Sequence, residues 1–116
     1  LSTVADLHHG LANGIMLDHV LRFNALVAAA KMAEMARIAL VPGAAAMGEG
    51  DAAAAFIAWL VQLKARIGIP ARLAAVGVKA AQIDALVEVA FHDICHQTNP
   101  RPCAREDFAR IFAEAL

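Results

Sequence analysis

Residues 51–70 read DAAAAFIAWLVQLKARIGIP, and this stretch decides the fold class. Its large apolar side chains recur every three or four residues, which is the spacing of one face of an α-helix. They are Phe56, Leu60, Leu63 and Ile67. Asp51 is a residue type that caps helix N-termini, and Gly68 followed by Pro70 is typical of a helix end. The stretch therefore predicts an amphipathic helix from about Asp51 to Ile67.

The rest of the chain has a similar composition, because alanine, leucine and charged helix formers dominate it and β-branched runs are short. Clusters of glycine and proline divide it into segments. The other predicted helices run from about Gly10 to Phe23, from about Leu26 to Leu40, from about Ala80 to Cys95 and from about Arg105 to the end. No convincing strand is predicted. We therefore expect an all-α fold, a bundle of about five helices forming one domain over residues 1–116.

The apolar patterns also predict which helix faces are buried. The first helix is apolar nearly all round and is expected to be buried on most faces. Alanines on one side of the second helix would let a neighbouring helix approach closely. The residues concerned are Ile15, Leu17, Val20 and Leu21 in the first helix, and Ala29, Ala33 and Ala36 in the second. In the fourth helix the residues expected to face inward are Ile83, Leu86, Ala90 and Ile94.

The apolar excess of the chain predicts a surface that another domain or chain covers. Hydrophobic residues make up 60% of the sequence, and the mean hydropathy is +0.58. The most apolar stretch, residues 52–63, lies between Asp51 and Lys64 and is far shorter than the roughly 20 residues that a membrane-spanning helix needs. A net charge of −1 with only six aromatic residues argues against a nucleic-acid partner.

The cysteine content and the N-terminal sequence bear on where the protein works. Cys95 and Cys103 are too few for a disulfide framework, so a reducing cytoplasm is expected. Leu1 is followed by a polar stretch that contains histidine, which is unlike a signal peptide. The chain also lacks an initiator methionine, which together with the apolar excess predicts a fragment of a longer protein.

Two groups of histidines are candidate metal ligands. His8 and His9 stand before Gly10 at the start of the first helix, where the backbone can approach a cofactor closely. The alternative is that they form a polar N-terminal cap. His92 and His96, with Asp93 and Cys95 between them, have the spacing at which two imidazoles can hold one ion. The alternative, which the lack of further ligands favours, is that they cap the C-terminal end of a helix.

The sequence Thr98-Asn99-Pro100-Arg101-Pro102 is a rigid polar turn between the last two predicted helices. A residue before proline is disfavoured in a helix, and the two prolines fix the path of the loop. This turn is either a structural connector or a direct contributor to a functional site.

Together these places resemble the ordered motifs of the iron-containing alcohol dehydrogenases. The first motif of that family is similar to His9-Gly10-Leu11-Ala12-Asn13-Gly14-Ile15-Met16-Leu17 followed by Val20, Phe23 and Asn24. The second is similar to Gly68-Ile69-Pro70 followed by Leu73, Gly77 and Val78. The third is similar to Ala90, Asp93 and Cys95 followed by Thr98-Asn99-Pro100-Arg101. Each motif is weak alone, but three in the family's order over nearly the whole chain make the resemblance specific.

The resemblance implies the C-terminal helical domain of the dehydroquinate synthase-like fold found in that family, whose N-terminal α/β domain binds NAD(P). It maps His9 onto one of four metal ligands, an Asp and three His, and places the other three upstream of Leu1. It maps Cys95 onto a position that can line the substrate cleft, and it assigns no catalytic or NAD(P)-binding residue to this chain. His92 and His96 match no ligand of the family.

The function implied is hydride transfer between a small alcohol or aldehyde and the nicotinamide, with iron or zinc as the metal. The implied partners are the chain's own α/β domain and, because of the apolar surface, further copies of the protein. The chain alone is expected to be inactive. The alternative is a free-standing helical interaction module without catalysis.

The sequence departs from the family pattern at three positions near the mapped ligand. His8 stands where proline is common, Gly14 where alanine is preferred, and Asp18 where proline usually follows the leucine. None of these is the ligand itself. Asp18 leaves open whether the helix bends there.

Overall fold

A computed structural model describes residues 1–116, and within them every regular element is helical, as predicted. The five α-helices are α1 (Ser2–Ala5), α2 (His9–Ile38), α3 (Glu49–Arg66), α4 (Ile83–His92) and α5 (Arg105–Ala115). Short 3₁₀ turns at Ala44–Ala46, Leu73–Val76, Ala80–Gln82 and Ile94–Thr98 lie between them. The number of helices agrees with the prediction only because α1, which was not predicted, makes up for the merging of two predicted helices into α2. The predicted helices themselves differ from the structure in two ways.

The first difference is that α2 is one helix of 30 residues, where the sequence predicted two. No glycine or proline occurs between Gly14 and Pro42, so Asn24 and Ala25 stay helical although the apolar pattern changes there. The helix is kinked at Ala28, whose φ of −123° and ψ of 17° are the only non-helical values inside it. The backbone at Asp18 is helical, so the helix does not bend at this position, where the family usually has proline.

The second difference is at the ends of the other helices. The predicted helix from Ala80 to Cys95 is divided into a 3₁₀ turn, α4 and a second 3₁₀ turn, because Asp93 adopts an extended conformation. Helix α3 begins at Glu49, so Asp51 lies in its first turn and is not the cap. Gly68 ends α3 with a φ of +79°, as its position predicted.

The interior consists of two separate apolar clusters. The first packs the start of α2 against α4, α5 and the Leu73–Val76 turn, and its buried members are Leu7, Ala12, Ile15, Leu73, Val78, Leu86, Val87, Phe112 and Ala115. The second packs the end of α2 against α3, and its buried members are Met32, Ala33, Ala36, Val41, Ala44, Ala52, Ala53, Phe56 and Ile57. The alanines predicted to permit close approach of helices, Ala33 and Ala36, lie in this second cluster and are fully buried.

The molecule is a thin slab of 44 × 30 × 18 Å in which only 23 of 116 residues are buried. Four residues on the predicted apolar faces are therefore exposed, against expectation. Leu17 and Val20 are exposed, because only one side of α2 has a neighbour. Ile67 is 63% exposed at the end of α3, and Ile94 is 74% exposed because α4 ends before it. The exposed apolar surface expected from composition is present. No helix is long and apolar enough to cross a membrane.

Candidate functional site

His9 is the first residue of α2, and its side chain is exposed. Its position is set by Leu7, which is buried in the first apolar cluster two residues earlier. Asn13 Nδ2 lies 3.1 Å from His9 Nε2, one helical turn along the same face. Since an amide nitrogen can only donate, Nε2 is the acceptor in this arrangement, and its lone pair receives the hydrogen bond. His8 precedes the helix and makes no side-chain capping bond, so the polar-cap interpretation is wrong for it.

An open cavity of about 530 Å³ lies beside this end of α2. Helices α2, α4 and α5 and the loop between the last two form its walls. The lining residues are Asn13, Val20, Phe23, Ala90, Asp93, Cys95, His96, Thr98, Asn99, Pro100, Cys103, Phe108 and Ile111. Residues from the first and third motifs thus meet around one cavity, although they are far apart in the sequence.

Cys95 is exposed and lines this cavity. The carboxylate of Asp93 accepts a hydrogen bond from the Cys95 backbone N–H at 2.8 Å. That hydrogen bond lowers the pKa of Asp93, and the carboxylate in turn raises the pKa of the Cys95 thiol. The thiol is therefore protonated at neutral pH, which suits a lining residue and not a nucleophile.

The capping interpretation is confirmed for His96, whose Nε2 lies 3.0 Å from the carbonyl oxygen of Phe91 in the last turn of α4, where helix backbone oxygens lack partners. His92 Nδ1 lies 2.8 Å from the carbonyl oxygen of Glu88, which is one residue before that turn, so His92 does not cap an unpaired carbonyl. No group of three or more His, Cys, Asp or Glu side chains in the structure could hold a metal ion.

The Thr98–Pro102 turn is a structural connector that fastens α5 to α2. Asn24 and Asn99 exchange two amide hydrogen bonds of 2.8 Å each, across 75 residues of sequence. Arg101 donates to the carbonyl oxygen of Phe23 at 2.9 Å, and its guanidinium lies 3.9 Å from the centre of the Phe23 ring. The Phe-Asn pair of the first motif is thus the binding partner of the Asn-Pro-Arg of the third.

Replacing Asn99 with alanine should lower the free energy of unfolding by about 1–3 kcal/mol, because the buried Asn24 amide loses its partner. Chemical denaturation of the two proteins measures the difference. Thr98→Ala is the matched control, because the Thr98 hydroxyl bonds only the exposed carbonyl of Cys95. Equal losses in both variants would contradict the role assigned to the Asn24–Asn99 pair.

A buried ion pair that sequence reasoning missed lies between α2 and α3. Lys64 Nζ donates to a carboxylate oxygen of Asp18 and, at 2.8 Å, to the carbonyl oxygen of Ile15. Asp18 and Lys64 are both about 5% exposed, and Arg22 donates to the second carboxylate oxygen at 2.9 Å. The sequence did contain a signal that these two charges could be buried. Asp18 stands among apolar neighbours, and Lys64 follows directly after the apolar run 52–63. Sequence alone could not pair them.

Gly14, the second departure from the family pattern, makes room for the segment after α3. A Cβ atom at this position would lie 3.0 Å from Ile69 Cδ1, which is closer than most real contacts. The glycine and Asp18 are one helical turn apart, and both face the end of α3 and the residues that follow it. The departures therefore adapt α2 to its neighbour and leave His9 unchanged.

The ion pair predicts acid sensitivity. Burial alone would raise the pKa of Asp18, but hydrogen bonds from Lys64 and Arg22 outweigh it and hold that pKa below its ordinary value. A lowered pKa in the folded state contributes stability above the unfolded pKa of about 4, and this is lost as the pH falls below it. Unfolding measured from pH 6 to pH 2 should therefore show a steeper decline for the parent than for Asp18→Asn. Parallel curves would contradict the prediction.

Comparison with known proteins decides the family. The sequence profile of the Fe-containing alcohol dehydrogenase family, C-terminal, matches residues 1–116. This chain belongs to the iron-containing alcohol dehydrogenase family. It is 38% identical over 115 residues to the NAD-dependent methanol dehydrogenase of Bacillus methanolicus, covering 97% of this chain and 29% of that protein. It is 36% identical over 107 residues to the lactaldehyde reductase of Escherichia coli K12, covering 92% of this chain and 28% of that protein.

The family fold is confirmed by a solved structure. The crystal structure of 1,3-propanediol oxidoreductase superposes with a TM-score of 0.91 at 33% identity, and it is matched over 100% of this chain and 30% of its own. The chain thus spans less than a third of the length of the relatives that it matches. The resemblance drawn from the three motifs, and the fold that it implied, are both confirmed.

Proposed function

We propose that this chain is the C-terminal, metal-binding helical domain of an iron-containing, NAD(P)-dependent alcohol dehydrogenase. The reaction is hydride transfer between a small alcohol or aldehyde and the nicotinamide. The observation that carries the proposal is the family match over all 116 residues, with His9 located one helical turn from a cavity built from the family's motifs. The names of the relatives, a methanol dehydrogenase and a lactaldehyde reductase among them, support small alcohols and aldehydes as the substrate class.

His9 supplies one imidazole to the metal. The position of His9 fits this role, because its side chain is exposed at the first residue of α2 and a metal can reach it from outside this chain. One imidazole is an incomplete donor set, so the remaining ligands come from outside this chain. When bound, the metal supplies a Lewis acid for the alcohol oxygen, and NAD(P) supplies the hydride acceptor.

The cavity walls receive the carbon part of the substrate. Val20, Phe23, Phe108 and Ile111 provide an apolar lining against which the carbon chain packs. Cys95 lines the same cavity as a neutral thiol, consistent with the place that the resemblance gave it.

The exposed apolar side chains are covered in the complete protein. They include Leu17, Leu26, Ile38, Leu40, Ile67 and Ile94. In our proposal they meet an N-terminal α/β domain that binds NAD(P) and a second copy of the protein. Soluble monomers seldom expose so large an apolar surface. We also propose a cytoplasmic location, since two cysteines are too few for the disulfide framework of a secreted domain.

Metal removal from the complete two-domain protein tests the proposal. NAD(P)-linked oxidation of short primary alcohols should be lost after chelation and return when ferrous iron is added, with zinc as a parallel arm. Residues 1–116 expressed alone should show no turnover under the same conditions, because one imidazole binds a metal weakly. Activity that survives chelation, or turnover by residues 1–116 alone, would overturn the proposal.

A further inference from the structure

Asn13 is the one polar side chain that links the mapped metal ligand to the cavity. Its amide nitrogen is 3.1 Å from His9 Nε2, and the same side chain lines the cavity wall. The bond to His9 is an exposed contact between residues four apart, and pairs of this kind contribute little to the stability of a helix. Stability therefore gives little reason for an asparagine at this position.

The position of Asn13 along α2 has a geometric consequence. His9, Asn13 and Val20 are separated by four and seven residues, so they follow one another along one face of the helix. At 1.5 Å per residue, Asn13 lies about 6 Å along the axis from His9 and about 10 Å from Val20. A small alcohol with its oxygen at the His9 end and its carbon chain over Val20 would pass directly over the Asn13 amide.

The Asn13 amide also has an N–H group that would be left without its present acceptor if His9 bound a metal. Nε2 is the His9 atom whose lone pair is free of a proton, so it is the atom available to a metal. If that lone pair were donated to a metal, the Asn13 N–H group would lose this acceptor. The nearest acceptor that the proposed reaction brings to this place is the oxygen of the substrate.

We infer that Asn13 is a further catalytic residue, whose side-chain N–H donates a hydrogen bond to the reacting oxygen of the substrate; the inference rests on the proposed function. In alcohol oxidation the substrate loses its O–H proton to solvent and a hydride from carbon to NAD(P)⁺, so that the C–O single bond becomes a carbonyl. Negative charge on the oxygen grows before the hydride leaves. A neutral amide donor stabilises that charge, whereas a carboxylate of the same shape would repel it.

Two variants in the complete, iron-loaded protein test this role. Asn13→Ala removes the donor, and Asn13→Asp keeps the shape without a donor. Both should lower kcat/KM for a short primary alcohol by about 100-fold, the effect of losing one donor to a developing oxyanion. Iron content per subunit and NAD(P) binding should stay at the parental level. Gln62→Ala, which removes an exposed amide on α3 that does not line this cavity, is the matched control and should leave all three quantities unchanged.

A binding measurement gives a readout that is independent of turnover. Trifluoroethanol gives up hydride poorly, and its affinity for the protein with NAD(P)⁺ can be measured by calorimetry. Asn13→Ala should weaken this affinity by about 10-fold, which is the value of one hydrogen bond to a charged or partly charged oxygen. Parental kinetics in both variants would overturn the inference. So would a loss of iron in parallel with activity, because Asn13 would then act only through His9. A parent without iron-dependent activity would instead refute the proposed function.

Discussion

Replacing His9 with alanine is expected to remove most of the iron and nearly all alcohol oxidation from the complete two-domain protein. The side chain is exposed, and its hydrogen bond goes to Asn13. Its loss should therefore change the free energy of unfolding by no more than about 1 kcal/mol, the scale of a helix-end contribution. The defect would be chemical, since the metal loses one of its few protein ligands.

The measurement is iron content per subunit by elemental analysis after identical dialysis, together with NAD(P) binding, which should be unchanged. His92→Ala is the matched control, because that imidazole is also exposed and also bonds a residue four positions away. It should retain its iron and its activity. If the His92 variant loses iron and the His9 variant keeps it, the mapping of His9 as the ligand is wrong.

Replacing Lys64 with methionine should have the largest effect on stability, a loss of about 3–5 kcal/mol in the free energy of unfolding. The substitution leaves the Asp18 carboxylate buried with Arg22 as its only cationic partner, and it also leaves the Ile15 carbonyl without this donor. Arg22 is half exposed and cannot replace a buried ammonium. Denaturant unfolding measures the loss.

Two further variants separate the burial of a charge from other causes. Lys31→Met changes the same side chain at an exposed position of α2 and should be nearly neutral. The double variant Asp18→Leu with Lys64→Met removes both charges and should recover much of the stability, since an apolar pair can replace a buried ion pair. A double variant as unstable as Lys64→Met alone would show that the charge left on Asp18 is not the cause.

Local patterns predicted the helices well where the chain carries its own stop signals. Gly68 and Pro70 ended α3 as expected, and α5 begins at Arg105 as predicted. The break predicted between Phe23 and Leu26 was wrong, because a change in apolar pattern does not end a helix that has no glycine or proline. The predicted burial of Ile94 was wrong because the helix ends earlier than its apolar pattern indicated. Asp93 is extended, and its carboxylate accepts a hydrogen bond from the Cys95 N–H.

The sequence motifs named candidate site residues, but they could not predict which side chains bond each other across the fold. The resemblance supplied His9 and Cys95, but nothing in the sequence indicated that Asn24 and Asn99 bond each other or that Asp18 meets Lys64. These partners are 75 and 46 residues apart. Pairing at that range is decided by how the helices pack, and periodicity within one helix carries no information about it.

The two separate apolar clusters have a consequence for the order in which the chain folds. The cluster between α2 and α3 joins residues 32–57, so a single short loop must close before its members meet. The other cluster brings Leu7 together with Ala115, and almost the whole chain must be arranged first. Loop closure costs entropy before contacts repay it, and local contacts form faster. The α2–α3 hairpin should therefore be the folding nucleus, and the end of α2 that carries His9 should acquire its final surroundings last.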